Sequence, residues 1–185
     1  MFASYVQEAQ RLKEKYSDKI HIVIGCESEM VREESSEDVR KLAARHKLSY
    51  IMGSVHHVDG VPIDYDDATL AKVENKYGST EALFVRYFEL VKQMVEEQQP
   101  TIVGHFDLIR LLRPEQDLTA PILAAADAAM DAAIAQGCLF EINTSGLRKG
   151  LQGPYPHLDL AKVALIEKRG GGRVDGRQTD GWSVK

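Results

Sequence analysis

Ile51-Met52-Gly53-Ser54-Val55-His56-His57 decides the fold: an apolar run of strand length that ends in two imidazoles. Three other stretches share this form. Ile22-Val23-Ile24-Gly25-Cys26-Glu27 ends in a carboxylate, Ile102-Val103-Gly104-His105 in an imidazole, and Cys138-Leu139-Phe140-Glu141-Ile142-Asn143 in a carboxylate and an amide. Each is expected to be a strand that delivers a ligand for a metal or a phosphate. Parallel strands of a β/α barrel present their carboxyl ends at one mouth, so residues distant in sequence become neighbours there.

Between these runs the spacing turns helical. Tyr5, Val6, Ala9, Leu12 and Tyr16 recur at helix period over 2–16. Ser35-Ser36-Glu37-Asp38 supplies an acidic start for a helix over 39–46. Stretches 68–77 and 80–97 read as two helices separated by Gly78-Ser79, and 121–136 reads as an alanine-rich helix stopped by Gly137. The polar stretch 59–67, with Gly60 and Pro62, reads as a loop at a strand end. Alternating strands and helices predict a parallel α/β fold, either a barrel or a doubly wound sheet. The single glycine of Gly25-Cys26-Glu27 does not make the glycine-rich loop of a nucleotide-binding sheet, which favours the barrel. Gly170-Gly171-Gly172 follows a helical stretch and reads as a stop and connector.

Composition bounds the partners. A chain of 185 residues with 44% hydrophobic and 28% charged content suits one folded domain. The net charge of −5, with basic residues dispersed among acidic ones, leaves no footprint for nucleic acid. No apolar run approaches the roughly 18 residues of a membrane span, and the amphipathic start lacks the apolar region of a signal peptide. Cys26 and Cys138 lie inside apolar runs and are expected as buried, unpaired thiols of a reducing compartment, the cytoplasm.

Among the strand ends, Glu27 carries a charge that burial penalises unless it is paired, protonated or bound to a cation. His56 and His105 occupy equivalent positions, and neutral imidazole is a ligand for Zn, Mn or Fe. Either histidine alone is more often a satisfied core or surface residue; the shared position at three strand ends is what favours a metal. Glu29 points to the same face as Glu27, either as a supporting partner or as a solvated acid. His57 faces away from His56 in a regular strand and meets substrate only where the strand end bends. The stretch Glu141 to Lys149 combines hydroxyls, an amide, a glycine and two cations, which suits an anion. Arg148 is its candidate phosphate clamp, with a solvated basic turn as the alternative. Arg110 and Arg113 either reach the same mouth or pair with Glu115 and Asp117.

Taken together, Gly25-Cys26-Glu27-Ser28-Glu29, Gly53 through Val58 with Pro62-Ile63-Asp64-Tyr65-Asp66, Gly104 through Arg110, and Glu141 through Lys149 followed by Pro154-Tyr155-Pro156 resemble one family in order along residues 2 to 172. The chain is similar to histidinol-phosphatases of the polymerase-and-histidinol-phosphatase (PHP) superfamily, in their fungal form. The resemblance implies a distorted (β/α)7 TIM-like barrel with up to three divalent metals. It implies hydrolysis of L-histidinol phosphate to L-histidinol and phosphate in histidine biosynthesis, by attack of a metal-bound hydroxide on phosphorus. Glu27, His56 and His105 match metal ligands of the family, Arg148 matches a phosphate-binding arginine, and Arg110 is a looser match.

The family also opens with a His-x-His strand and closes with an Asp-x-His strand, and neither stands in this sequence. The expectation is therefore a partial PHP phosphoesterase domain over 1–172, an incomplete barrel lacking its first and closing strands, and a divergent, disordered tail over 173–185. Fewer metals and weak turnover would follow. The alternative is a catalytically inactive remnant that acts as a binding or interaction module. The oligomeric state is not legible.

Overall fold

A computed structural model describes residues 1–31, 34–162 and 182–184. The chain opens with α1 (Phe2–Lys15), β1 (Gly25–Glu29), α2 (Glu34–His46) and β2 (Tyr50–Ser54). It continues through β3 (His57–Val58), β4 (Val61–Pro62), α3 (Asp67–Tyr77), α4 (Thr80–Gln98) and β5 (Ile102–Val103). A 3-10 turn (Leu108–Leu112), α5 (Ala120–Ala135), β6 (Leu139–Ile142), α6 (Ser145–Arg148), α7 (Leu158–Lys162) and β7 (Trp182–Val184) follow.

Five strands pair in the order β1-β2-β5-β6-β7, all parallel. The alternation of strand and helix thus gives the parallel α/β fold that the sequence predicts. Closure does not follow. Among the described residues the sheet is open, with β1 and β7 at its edges and no pairing between them. A β/α barrel closes only through a full round of tilted, staggered strands, and five short ones make an arc. Apart from β7, the expected tail over 173–185 lies outside the described residues, as does the glycine cluster at 170–172.

Strand limits follow the pairing partner rather than the apolar run. β1 begins at Gly25, opposite Tyr50, and runs on to Glu29, opposite Ser54. Ile22 and Val23 precede any residue of β2 that could pair with them, and Val23 is exposed. Beyond Ser54 the chain leaves the sheet and folds into an antiparallel hairpin, His57 against Pro62 and Val58 against Val61. Asp59 (φ 49°) and Gly60 (φ 77°) form its tip. An Asp-Gly pair between β-branched residues is a strong hairpin signal, and it corrects the reading of this stretch as loop.

The core gathers around α4. Leu83, Phe84, Tyr87, Phe88, Val91, Met94 and Val95 repeat at helix period and are all buried. α5 meets them with Ile122, Ala126, Ala129, Met130 and Ala133, and its three alanines let the two helices approach closely. Burying each large side chain contributes about 1.5–3 kcal/mol, against about 0–1 kcal/mol for a surface ion pair, so this face and not the exposed charge pairs holds the frame. The rings of Phe88, Phe106 and Phe140 stack in series at 5.2 and 5.5 Å, joining α4 to the sheet. Asp66 caps α3 by accepting from Thr69 N (2.7 Å), and Ser79 caps α4 by accepting from Ala82 N (3.1 Å).

Both cysteines are free. Cys138 is buried, its thiol 3.0 Å from the Pro100 carbonyl oxygen, and burial pushes its pKa up to about 11. Cys26 is only half-buried, because β1 is an edge strand, which corrects the expectation of two buried thiols. No helix among the described residues is long and apolar enough to cross a membrane.

Candidate metal centre

The parallel register sets Glu27, the chain after β2, and the residue after β5 on one rim. Glu27 projects from β1, His56 follows β2 by two residues, and His105 follows β5 by two. Glu27 Oε1 accepts from Ser54 Oγ (2.8 Å) and lies 3.2 Å from His105 Nε2 and 3.8 Å from His56 Nε2. One ligand atom from each of the three residues lies within 4.8 Å of the others. The imidazoles of His56 and His105 meet edge to face at 4.7 Å. Exposure falls from Glu27 (43%) through His56 (29%) to His105 (9%), so the cluster has an open side and a buried floor.

Close packing at Gly104 shapes this floor. A Cβ there would stand 2.8 Å from Ser54 Oγ and 3.2 Å from the Met52 side chain, displacing the hydroxyl that holds Glu27. Gly104 N donates to Gly53 O (2.9 Å), which carries the β2–β5 pairing up to His105.

Asp64 stands behind His56, its Oδ2 3.0 Å from Nδ1. The hairpin brings it there: Ile63 N donates to His56 O (2.9 Å), folding the chain back beside the histidine. Sequence reasoning missed this contact, and Asp59-Gly60 was the signal that could have found it. The electrostatics couple all four groups. His105, then His56 and Ser54, hold the Glu27 carboxyl far below the usual range against the opposing effect of burial. Asp64, then Glu27, push His56 up to about 9, and His56 in turn lowers Asp64. Two imidazoles and two carboxylates thus satisfy one another at this rim.

A cavity of about 400 Å³ opens over the cluster, lined by Glu27, Ser28, Glu29, Ser54, His56, His57 and Asp64. His57 reaches it because the chain bends out of the sheet after Ser54, and its Nδ1 contacts Glu29 Oε1. His57 also lines a second cavity of about 300 Å³, with Met30, Val31, Asp59, Arg86 and Leu90.

Of the residues expected to meet phosphate, His57 lines this cavity, and Arg148 and Arg110 do not. Arg148 is exposed at the end of α6, after β6 on the same rim, and does not line the cavity. Its neighbour Lys149 exerts its charge on Asp64. Arg110 is buried and donates to Asp107 Oδ2 (3.1 Å), an atom that also accepts from His157 N (2.8 Å). Arg113 pairs with Glu74 (2.7 Å) and Asp67 (2.5 Å), far in sequence from the expected Glu115 and Asp117. Glu141 is fully buried and does not join the cluster: its Oε2 accepts from His105 N (2.9 Å) and Asn143 Nδ2 (3.1 Å). Among the described residues, His21 and His46 also stand outside the cluster.

The chain is similar to known proteins over most of its length. The PHP domain family matches residues 1–145. A protein of Schizosaccharomyces pombe named "Probable histidinol-phosphatase" is 38% identical over 89% of this chain and 56% of its own length. The histidinol-phosphatase of Saccharomyces cerevisiae is 30% identical over 93% of this chain and 60% of its own. A "Probable histidinol-phosphatase" of Deinococcus radiodurans is 25% identical over 86% and 58%. The chain thus spans little more than half the length of these relatives. The family match runs through β1, β2 and β5, which bring the three cluster residues together, and the chain belongs to the PHP domain family.

Proposed function

We propose that this protein is a metal-dependent phosphomonoesterase that hydrolyses L-histidinol phosphate to L-histidinol and phosphate, in the cytoplasm, as a step of histidine biosynthesis. The observation that carries the reading is the convergence of Glu27, His56 and His105 at one rim of a parallel sheet. Two imidazole nitrogens and a carboxylate oxygen suit Zn, Mn or Fe, and the described residues assemble one such set. The names of the relatives supply the substrate. The open parallel sheet fits an arc of the family's β/α barrel, since Glu27 lies on β1 and His56 and His105 follow the carboxyl ends of β2 and β5.

A divalent ion in this site would polarise the phosphoryl oxygens and acidify a bound water. The chain's own residues prepare the site for both. Ser54 fixes the Glu27 carboxylate, and Asp64 directs Nε2 of His56 toward the cluster. His57 and Arg148 are the candidates for direct substrate contact, while Arg110 is engaged by buried Asp107. The second cavity, which shares His57, offers room for the organic end of the ester.

Phosphate release by the purified protein with Mn2+ or Zn2+ tests the proposal. L-histidinol phosphate should be cleaved at least about tenfold faster than 4-nitrophenyl phosphate, because a dedicated site uses polar contacts to its own alcohol. His105→Ala should abolish the release. Release that survives His105→Ala would contradict the reading, and metal binding without any release would select the inactive binding module instead.

A further inference from the structure

The two histidines of the cluster are held in different ways. His56 is fixed through its ring, with Nδ1 against Asp64 and Nε2 toward Glu27. This is the ordinary arrangement of a ligating histidine, whose second nitrogen is anchored to a carboxylate or carbonyl. His105 has no such anchor. Its Nδ1 is buried without a hydrogen-bond partner among the described residues, and the Tyr155 ring beside it stands 6.4 Å away between centroids.

What holds His105 is its backbone. The residue sits at φ 21°, a conformation that side-chain-bearing residues rarely adopt, so the local chain would relax if nothing opposed it. Its N–H points at Glu141 Oε2 (2.9 Å), a fully buried carboxylate on the neighbouring strand β6. Asn143 Nδ2 steadies the same oxygen at 3.1 Å, and Asn143 is itself fixed by paired backbone bonds with Tyr155 (2.8 and 2.9 Å). On the other side, Leu108 N donates to His105 O (2.9 Å). The strained peptide is thus clamped on both faces, and relaxing it would swing the imidazole away from Glu27.

We infer that Glu141 is a positioning residue: its carboxylate, by accepting from His105 N, holds His105 in the strained backbone conformation that presents Nε2 to the cation. The sequence puts Glu141 near a strand end, where a ligand is expected, and in the structure its Oε2 accepts from His105 N instead. This inference rests on the metal reading above. It requires the carboxylate as a hydrogen-bond acceptor at a fixed reach, and the charge itself is secondary.

Titration with Co2+, read by its visible absorption, tests this on the purified protein. Glu141→Asp withdraws the acceptor by one methylene and should weaken Co2+ binding at least about tenfold with an altered spectrum, as loss of an orienting contact does. Glu141→Gln keeps an oxygen at the same reach and should bind within about threefold of the wild type with an unchanged spectrum. Binding by Glu141→Asp equal to the wild type, or an equal loss in Glu141→Gln, would overturn the inference. Hydrogen exchange at His105 N in the unmodified protein reads the same bond without any substitution: protection is expected, and exchange at the rate of an open amide contradicts it. His105→Ala is the control. If it binds Co2+ as well as the wild type, the metal reading has failed and the role of Glu141 with it; if it loses binding while the Glu141 variants do not, only the inference about Glu141 falls.

Discussion

Asp64 determines which face His56 shows to the cluster. With Oδ2 3.0 Å from Nδ1, the carboxylate accepts the Nδ1–H hydrogen bond and turns Nε2 toward Glu27, the nitrogen a cation would take in place of its proton. Asp64→Ala should therefore weaken divalent-metal binding by about 10- to 100-fold while leaving all three ligands in place, a loss to be read by calorimetric titration with Zn2+. Unchanged affinity would mean that His56 is oriented by other means. Glu27, His56 and His105 were legible in the sequence because each ends an apolar run, and a polar group at a strand end stands out against it. Asp64 was not, since its place depends on a hairpin that folds eight residues back on themselves. Arg110 misled for the opposite reason: it stands close to His105 in sequence, but the 3-10 turn directs it onto buried Asp107.

Among the elements, α4 and the segment after β5 form one mechanical unit. The Phe88 ring stacks on Phe106, the residue that follows His105, and Phe106 in turn meets Phe140 of β6. The Tyr87 hydroxyl donates to Phe106 O and accepts from Leu108 N, each at 3.2 Å. Phe88 is fully buried, so Phe88→Ala should cost about 3–5 kcal/mol in urea unfolding, by lost transfer energy and the cavity left behind. A loss under about 1 kcal/mol would show that the stack does not carry the core. The helices were the most legible elements, as their apolar period and caps are local: the spacing predicts helices over 68–77 and 80–97, and the structure has Asp67–Tyr77 and Thr80–Gln98. Strand limits were less so, because a strand ends where its neighbour ends. Ile22 and Val23 have the composition of a strand and no strand partner among the described residues.

Across the whole molecule, the alternation of strand and helix carried the parallel sheet and the gathering of its strand ends, whereas curvature and closure depend on strand number and stagger, which no local pattern encodes. The edge at β1 is tied down by α1, where the Tyr5 hydroxyl donates to the Gly25 carbonyl oxygen (2.7 Å), holding the strand that carries Glu27. Everything proposed for the protein depends on that strand, β2 and β5 bringing three ligands to one ion. Anomalous X-ray scattering from crystals soaked in Zn2+ measures this directly. The account predicts a peak about 2.0–2.2 Å from a Glu27 carboxylate oxygen and from Nε2 of both His56 and His105. A zinc ion bound at other residues, with no peak among these three, would contradict it.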